Sequence, residues 1–353
     1  MRLYFEKYGN FFDNFVNRRE KAMIRPLFVF AGQSNMMGAS VFPATEQVYF
    51  KNSVEYLHKP KRFGKSLGEF KHYGFPSGEF SYKYLSKAYD GKDGTNIKSR
   101  LNNYTLNTYF CPSMCNLNDI KEKTTYPFDY FSEESALRGV CVAPYIVKGI
   151  EDAGYACAYT HIAKGSVGID YYINGNAAKY FKQKVLDFFE DTQKEFPQDD
   201  TSERVLFWLQ GENDGAKGYG YYKNSLKILW SKARKIGFTK FFIIRAGFWG
   251  EESIVDVMQA QEDFCREHQE CFMLTRVGSY FEYVGQNNNL WFTEELPTEF
   301  LYCRDSFYGY PNQHINEKGF QIISKYAVPN VVRILFKGKE PVLEEERIIR
   351  LLR

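Results

Sequence analysis

The chain has no stretch of about 18 or more consecutive apolar residues, so a membrane-spanning helix is not expected. The first residues, "MRLYFEKYGNFFDNFVNRREKAMIRP", are broken by charge every few positions and lack the apolar stretch of a signal peptide. The protein is therefore expected to stay in the cytoplasm. An excess of one charge is also missing: 46 Lys+Arg face 43 Asp+Glu, a balance that calls for no nucleic acid and no anionic membrane surface. Cysteine is sparse and odd in number, 7 residues spread from Cys111 to Cys303, which fits reduced thiols better than a disulfide frame. The close pairs Cys111/Cys115 and Cys265/Cys271 have no histidine or cysteine partners at zinc spacing, so no metal is expected. With only 5 histidines, candidates for a general base are few enough to weigh one by one. Aromatic residues, by contrast, are abundant at 18%, and such rings can stack on sugar faces or simply reflect a compositional habit.

Five apolar runs rich in branched and aromatic residues read as buried strands: 27–31, 156–163, 204–209, 240–246 and 271–275. Helical spacing fills the intervals at 136–154, 177–196, 219–237 and 252–268, with Gly154 and Gly237 at helix C-termini. A fifth helix, 316–336, is expected to kink or divide near Pro329. This alternation predicts a three-layer α/β/α sandwich around a five-stranded parallel sheet. Residues 1–26 read as an N-terminal extension and 27–336 as the domain. The aromatic-rich stretch 41–132 breaks the alternation and reads as an insertion after the first strand, either a lid over the site or an excursion away from it. The tail, 337–353, reads as a charged, solvated helix.

In open parallel sheets ligands gather beyond the C-terminal strand ends. Three polar clusters fall there: "GQSNMMG" (32–38) after strand one, "AKGSVG" (163–168) after strand two, and "WLQGEND" (208–214) after strand three. Ser34, on a tight turn between Gly32 and Gly38, is either a nucleophile or a helix cap. The turn is not a G-x-S-x-G elbow, because Met36 stands at the second glycine position. Glu212 and Asp214 have their own plain reading as caps of the following helix.

A serine hydroxyl needs a base to take its proton and donors for the developing oxyanion. His314, in "GYPNQHINEKGF", precedes the last helix on a loop that can reach the rim. His161 lies inside a strand and suits the core, while His58, His72 and His268 suit solvated surface positions. The N–H groups of Ser34 and Gly165 and the side-chain amide of Asn213 are the candidate oxyanion donors.

Together the clusters resemble the SGNH hydrolase superfamily, in particular its sialate O-acetylesterase-like group (carbohydrate esterase family 6 and relatives). "GQSNMMG" looks like the nucleophile block, "AKGSVG" the block supplying a glycine N–H, "WLQGEND" the W-x-Q-G-E-x-D/N block, and "HINEKGF" (314–320) the histidine block. The resemblance implies a flavodoxin-like sandwich and a serine esterase, without cofactor or metal, that removes O-acetyl groups from a carbohydrate. It implies Ser34 as nucleophile, His314 as base, and Gln33, Gln210 and Glu212 at the rim. One departure stands out: the aspartate normally three residues before the histidine is Pro311 here. Asp305, a backbone carbonyl near Asn312, or a bare Ser-His dyad are the ways left to orient the imidazole, and Asp305 is the expected choice. Two alternatives remain, an acyltransferase passing the same acyl group to a sugar hydroxyl and a non-catalytic glycan-binding relative.

Overall fold

The computed structural model describes residues 22–37, 48, 50–58, 61–64, 141–165, 167–247, 254–281, 302–303, 314–315, 317–346 and 349. The central strand is β1 (Leu27–Gly32). Its alternation decides the layers: Phe28 and Phe30 face one core cluster, while Leu27, Val29 and Ala31 face the other. Strands β2 (Val54–His58), β3 (Lys61–Gly64), β4 (Ala158–Ala163), β5 (Arg204–Leu209), β6 (Lys240–Ile244) and β7 (Cys271–Thr275) join it in the order β3-β2-β4-β1-β5-β6-β7.

Helix α1 (Ser34–Met37) follows β1 directly. On the Phe28/Phe30 side the sheet is covered by α2 (Val142–Asp152). The opposite side carries α3 (Asp170–Ile173), α4 (Gly175–Glu195), α5 (Gly218–Lys235) and α6 (Val255–Glu267). The first side is completed by α7 (Glu317–Lys337), which packs against α2. The result is an α/β/α sandwich, and helices on both faces explain why these strands read as unbroken apolar runs. Gly154 and Gly237 follow α2 and α5 with φ of 92° and 104°, as the sequence pattern predicts for helix ends. No helix among the described residues is long and apolar enough to cross a membrane.

The sheet corrects the strand count. Six strands are parallel rather than five, and a seventh, β3, runs antiparallel to β2. Both extra strands lie within 41–132, the stretch expected to be an insertion. Glu55 and His58 disguise β2, since each is polar yet buried against β4. Tyr159 donates its hydroxyl to the Glu55 carboxylate at 3.1 Å, and Thr160 Oγ1 lies 3.0 Å from His58 Nε2. His58 is therefore a core residue, only 4% exposed, and not the surface histidine its charged neighbours suggest.

Two further differences concern the C-terminal region. Helix α7 is not divided at Pro329 but runs on through it as one element. The tail is not a solvated helix over 339–346. It runs in irregular conformation, with Glu344 and Glu346 meeting residues at and beyond the end of β6 and β7. The Glu344 carboxylate accepts the Arg276 N–H at 2.9 Å and the Thr275 hydroxyl at 2.5 Å, and Glu346 pairs with the fully buried Arg245. A glutamate that pairs with a buried arginine, as Glu346 does with Arg245, looks solvated only while its partner is unknown. At the other end, the last residues of the extension join the domain through an Arg25–Asp199 ion pair of 2.5 Å.

Candidate active site

Register creates the rim. Gly32 of β1 is level with Ala163 of β4 and with Leu209 of β5, so Gln33, Lys164 and Gln210 leave the sheet at one height. Close approach at Gly32 is what permits the turn: a Cβ there would sit 2.0 Å from the Leu209 carbonyl oxygen. The Tyr172 hydroxyl donates to the Gly32 carbonyl at 2.5 Å and lies 3.2 Å from its N–H, fixing the end of β1 from the helical layer. Ser34 then opens α1, 4% exposed, with Gln33 and Asn35 nearly as buried on either side.

The clusters after β1 and β5 are bonded to each other. Gln33 Oε1 accepts from Gln210 Nε2 at 3.1 Å and from the Asn213 N–H at 3.2 Å, while Asn35 Nδ2 donates to Glu212 Oε1 at 2.8 Å. The cluster after β4 is tied in through Asp214, whose Oδ2 accepts the Ile169 N–H at 2.7 Å and Gln210 Nε2 at 2.7 Å. Lys217 lies 3.0 Å from the other Asp214 oxygen, so this fully buried carboxylate is compensated. Beneath, the Tyr222 hydroxyl donates to the Gln210 carbonyl at 2.7 Å and Gln261 Nε2 donates to the same oxygen at 2.8 Å, which locks the "QGEND" turn onto α5 and α6.

Gly165 borders the serine. A Cβ on Gly165 would lie 3.8 Å from Ser34 Cβ and 3.1 Å from Met37 Cε. Asn213 is exposed at the rim, and among the described residues nothing engages its side-chain amide. The fourth cluster arrives through the backbone. The two-residue strand β8 (Tyr302–Cys303) pairs antiparallel with β9 (His314–Ile315), and Asn35 Oδ1 accepts the Ile315 N–H at 2.9 Å. Residue 314 is thereby held one position from a hydrogen bond to the neighbour of Ser34. Asp305 and Pro311, expected to decide how the imidazole is oriented, lie outside the described residues.

Gln33, Gln210 and Glu212 are buried tie points at 3%, 0% and 3% exposure, so they organise the rim from below. Neither Glu212 nor Asp214 caps the next helix: both sit in the 3₁₀ turn Glu212–Lys217, and their oxygens point to Asn35 and to Ile169. Burial raises the Glu212 carboxyl above its ordinary value, against the opposing pull of the Asn35 hydrogen bond. His161 is a core residue as expected, its Nε2 2.5 Å from the Met36 carbonyl, where it props α1.

Asn35, Tyr172 and Tyr222 are the residues whose roles sequence reasoning missed. For Asn35 a signal existed: an amide directly after the candidate serine, in otherwise apolar surroundings. The two tyrosines lie in helices with many other aromatics, and nothing in their spacing singles them out.

The sequence matches no family model and no curated protein. Solved structures similar to it include that of an Arabidopsis thaliana protein, at 11% identity over 87% of this chain and 97% of the other, with a TM-score of 0.46. NanS aligns at 12% identity over 90% of this chain and 99% of its own, with a TM-score of 0.40. A carbohydrate acetylesterase from Xanthomonas citri aligns at 11% identity over 59% of this chain and 43% of its own, with a TM-score of 0.35. Likenesses this distant assign no chemistry, which rests on the geometry above.

Proposed function

We propose that the protein is a serine esterase that removes O-acetyl groups from a carbohydrate through an acetyl-enzyme. The observation that carries this reading is the double engagement of the turn bearing Ser34. Asn35 bonds Glu212 of the "QGEND" turn on one side and Ile315, next to His314, on the other. Three segments far apart in sequence are thus tied beside the serine, with Gly165 of a fourth bordering it, and residue types that acyl transfer needs stand in each.

Ser34 Oγ attacks the acetyl carbonyl as His314 takes its proton. The N–H groups of Ser34 and Gly165, with the Asn213 amide, receive the oxyanion; each such donor is worth about 3 kcal/mol to the transition state. Collapse breaks the ester bond, and the imidazolium returns the proton to the departing sugar oxygen. Water, deprotonated by the same imidazole, then attacks the acetyl-enzyme, and the imidazolium returns that proton to Ser34 Oγ as acetate leaves. Asp305 remains the proposed orienting carboxylate.

Ser34→Ala is expected to abolish acetate release from acetylated sugars and from p-nitrophenyl acetate, while the parent protein is labelled at Ser34 by a fluorophosphonate. Undiminished hydrolysis by Ser34→Ala would refute the esterase reading. Formation of an acetylated glycan in place of acetate, given a sugar acceptor, would turn it into a transferase.

A further inference from the structure

The Asn35 amide has two chemically different ends, and each end has one partner. Its NH₂ donates to Glu212 Oε1 at 2.8 Å, and its oxygen accepts the Ile315 N–H at 2.9 Å. Flipping the amide would break both bonds, so Glu212 fixes the orientation in which the oxygen faces Ile315. Asn35 and Glu212 are 4% and 3% exposed, leaving no water to replace a lost bond cheaply. The second Glu212 oxygen has no hydrogen-bond partner among the described residues. A residue that served only to stabilise the turn would gain nothing from burying a half-satisfied carboxyl there.

We infer that Asn35 and Glu212 act as a pair of positioning residues that hold the His314 segment against the nucleophile turn through the Ile315 backbone. This deepens the esterase reading and rests on it. Pro311 has no side-chain acceptor to offer an imidazole from its place in the loop. The backbone tie places the segment whichever group orients the ring: β9 is pinned at Ile315 by Asn35 and at His314 by its pairing with Cys303. Asp214, whose charge also acts on Glu212, is engaged by Ile169, Gln210 and Lys217 and is not part of the pair.

The test compares Asn35→Ala, Glu212→Ala, Glu212→Gln and Asn35→Asp with the parent and with Ser34→Ala, using p-nitrophenyl acetate and fluorophosphonate labelling of Ser34. Loss of the tie should lower kcat about 100-fold in Asn35→Ala and Glu212→Ala, because misplacement by about 1 Å costs that much, with KM nearly unchanged. Glu212→Gln keeps an acceptor for Asn35 and should recover most of the loss. The double Ala variant should be no worse than either single, as for two residues acting as one unit.

Should an Ala variant fail to fold, Asn35→Asp keeps the acceptor for Ile315 but sets two carboxyls face to face. Its kcat should then fall as pH rises and the shared proton leaves, a dependence absent from the parent. A parent-like pH profile in Asn35→Asp, or Glu212→Gln as slow as Glu212→Ala, would overturn the inference. A dead Ser34→Ala beside a fully active Asn35→Ala would sink this pair and spare the esterase reading. An active Ser34→Ala would sink the esterase itself.

Discussion

Gly32→Ala is the smallest change that should damage both fold and site. The added Cβ would lie 2.0 Å from the Leu209 carbonyl oxygen, 2.8 Å from its carbon and 2.9 Å from Met36 Cβ. The first contact is more than 1 Å inside an ordinary carbon–oxygen approach of about 3.3 Å. Neither partner can yield alone, since β1 is paired on both edges and the Leu209 carbonyl also accepts the Gln33 N–H at 3.2 Å. Overpacking of a rigid core costs about 1–3 kcal/mol. The φ of 154° adds roughly 1–2 kcal/mol for a residue with a Cβ. The sum, about 2–5 kcal/mol, is a large part of the ~5–15 kcal/mol that holds an ordinary domain together. At roughly 2 °C per kcal/mol in a domain of this size, the melting temperature should drop by about 4–10 °C. Gly154→Ala is the control: its φ is 92°, but nothing lies within 4 Å of the added Cβ, so only the conformational cost applies. Thermal melts followed by circular dichroism measure both. If Gly32→Ala melts together with Gly154→Ala, the contact with Leu209 does not constrain the turn, and the account of how β1 presents Ser34 is wrong.

Two other changes probe different parts of the structure. Burial first, then the nearby charges of Lys184 and Lys61, hold the His58 imidazole well below its ordinary value, so the unfolded chain takes up the proton before the folded one does. His58 should therefore cost stability as pH falls below about 6.5, and urea midpoints measured across that range should flatten in His58→Gln; an unchanged slope would assign the acid sensitivity elsewhere. In Gly165→Ala the new methyl meets mainly the flexible Met37 side chain, at 3.1 Å, and lies 3.8 Å from Ser34 Cβ. Its melting temperature should stay within about 2 °C of the parent while kcat/KM falls about tenfold or more, the usual effect of one methyl in a reacting pocket. Full activity would place the acyl group away from Gly165.

The sandwich was legible because burial on both faces leaves a simple trace, an apolar run followed by a helical period. "LFVFA" and "RVLFWL" could be nothing but interior strands, and the helices between them could only cross over the faces. β2 escaped notice because it carries Glu55 and His58, polar residues that break the apolar run by which the other strands are recognised. Each finds a partner on β4, Glu55 in Tyr159 and His58 Nε2 in Thr160, about a hundred residues away. The tail failed for the same reason. Glu344 is engaged by the backbone N–H of Arg276 and Glu346 by the side chains of Arg245 and Arg276, residues that follow apolar strands and look like ordinary strand-end charges.

In the site, what sequence reasoning found and missed divides along the same line. Ser34, Gly165, Asn213 and the backbone of His314 were reachable because each follows a strand or precedes a helix, and topology alone sends those positions to one rim. Gln33, Gln210 and Glu212 were reachable as residues but not as roles, because a rim position and a position just beneath it share the same place in the chain. What separates them is depth. An amide or carboxyl at the surface is free to meet a sugar, whereas Gln33 and Gln210, at 3% and 0% exposure, have turned their amides to other protein groups. The Asn35 contacts with Glu212 and Ile315 span 177 and 280 residues, separations at which no local pattern operates. Such ties are also where a catalytic arrangement can change its parts. A histidine whose carboxylate partner no longer stands three residues before it keeps a usable position if its backbone is held from another direction, and Asn35 is placed to hold it.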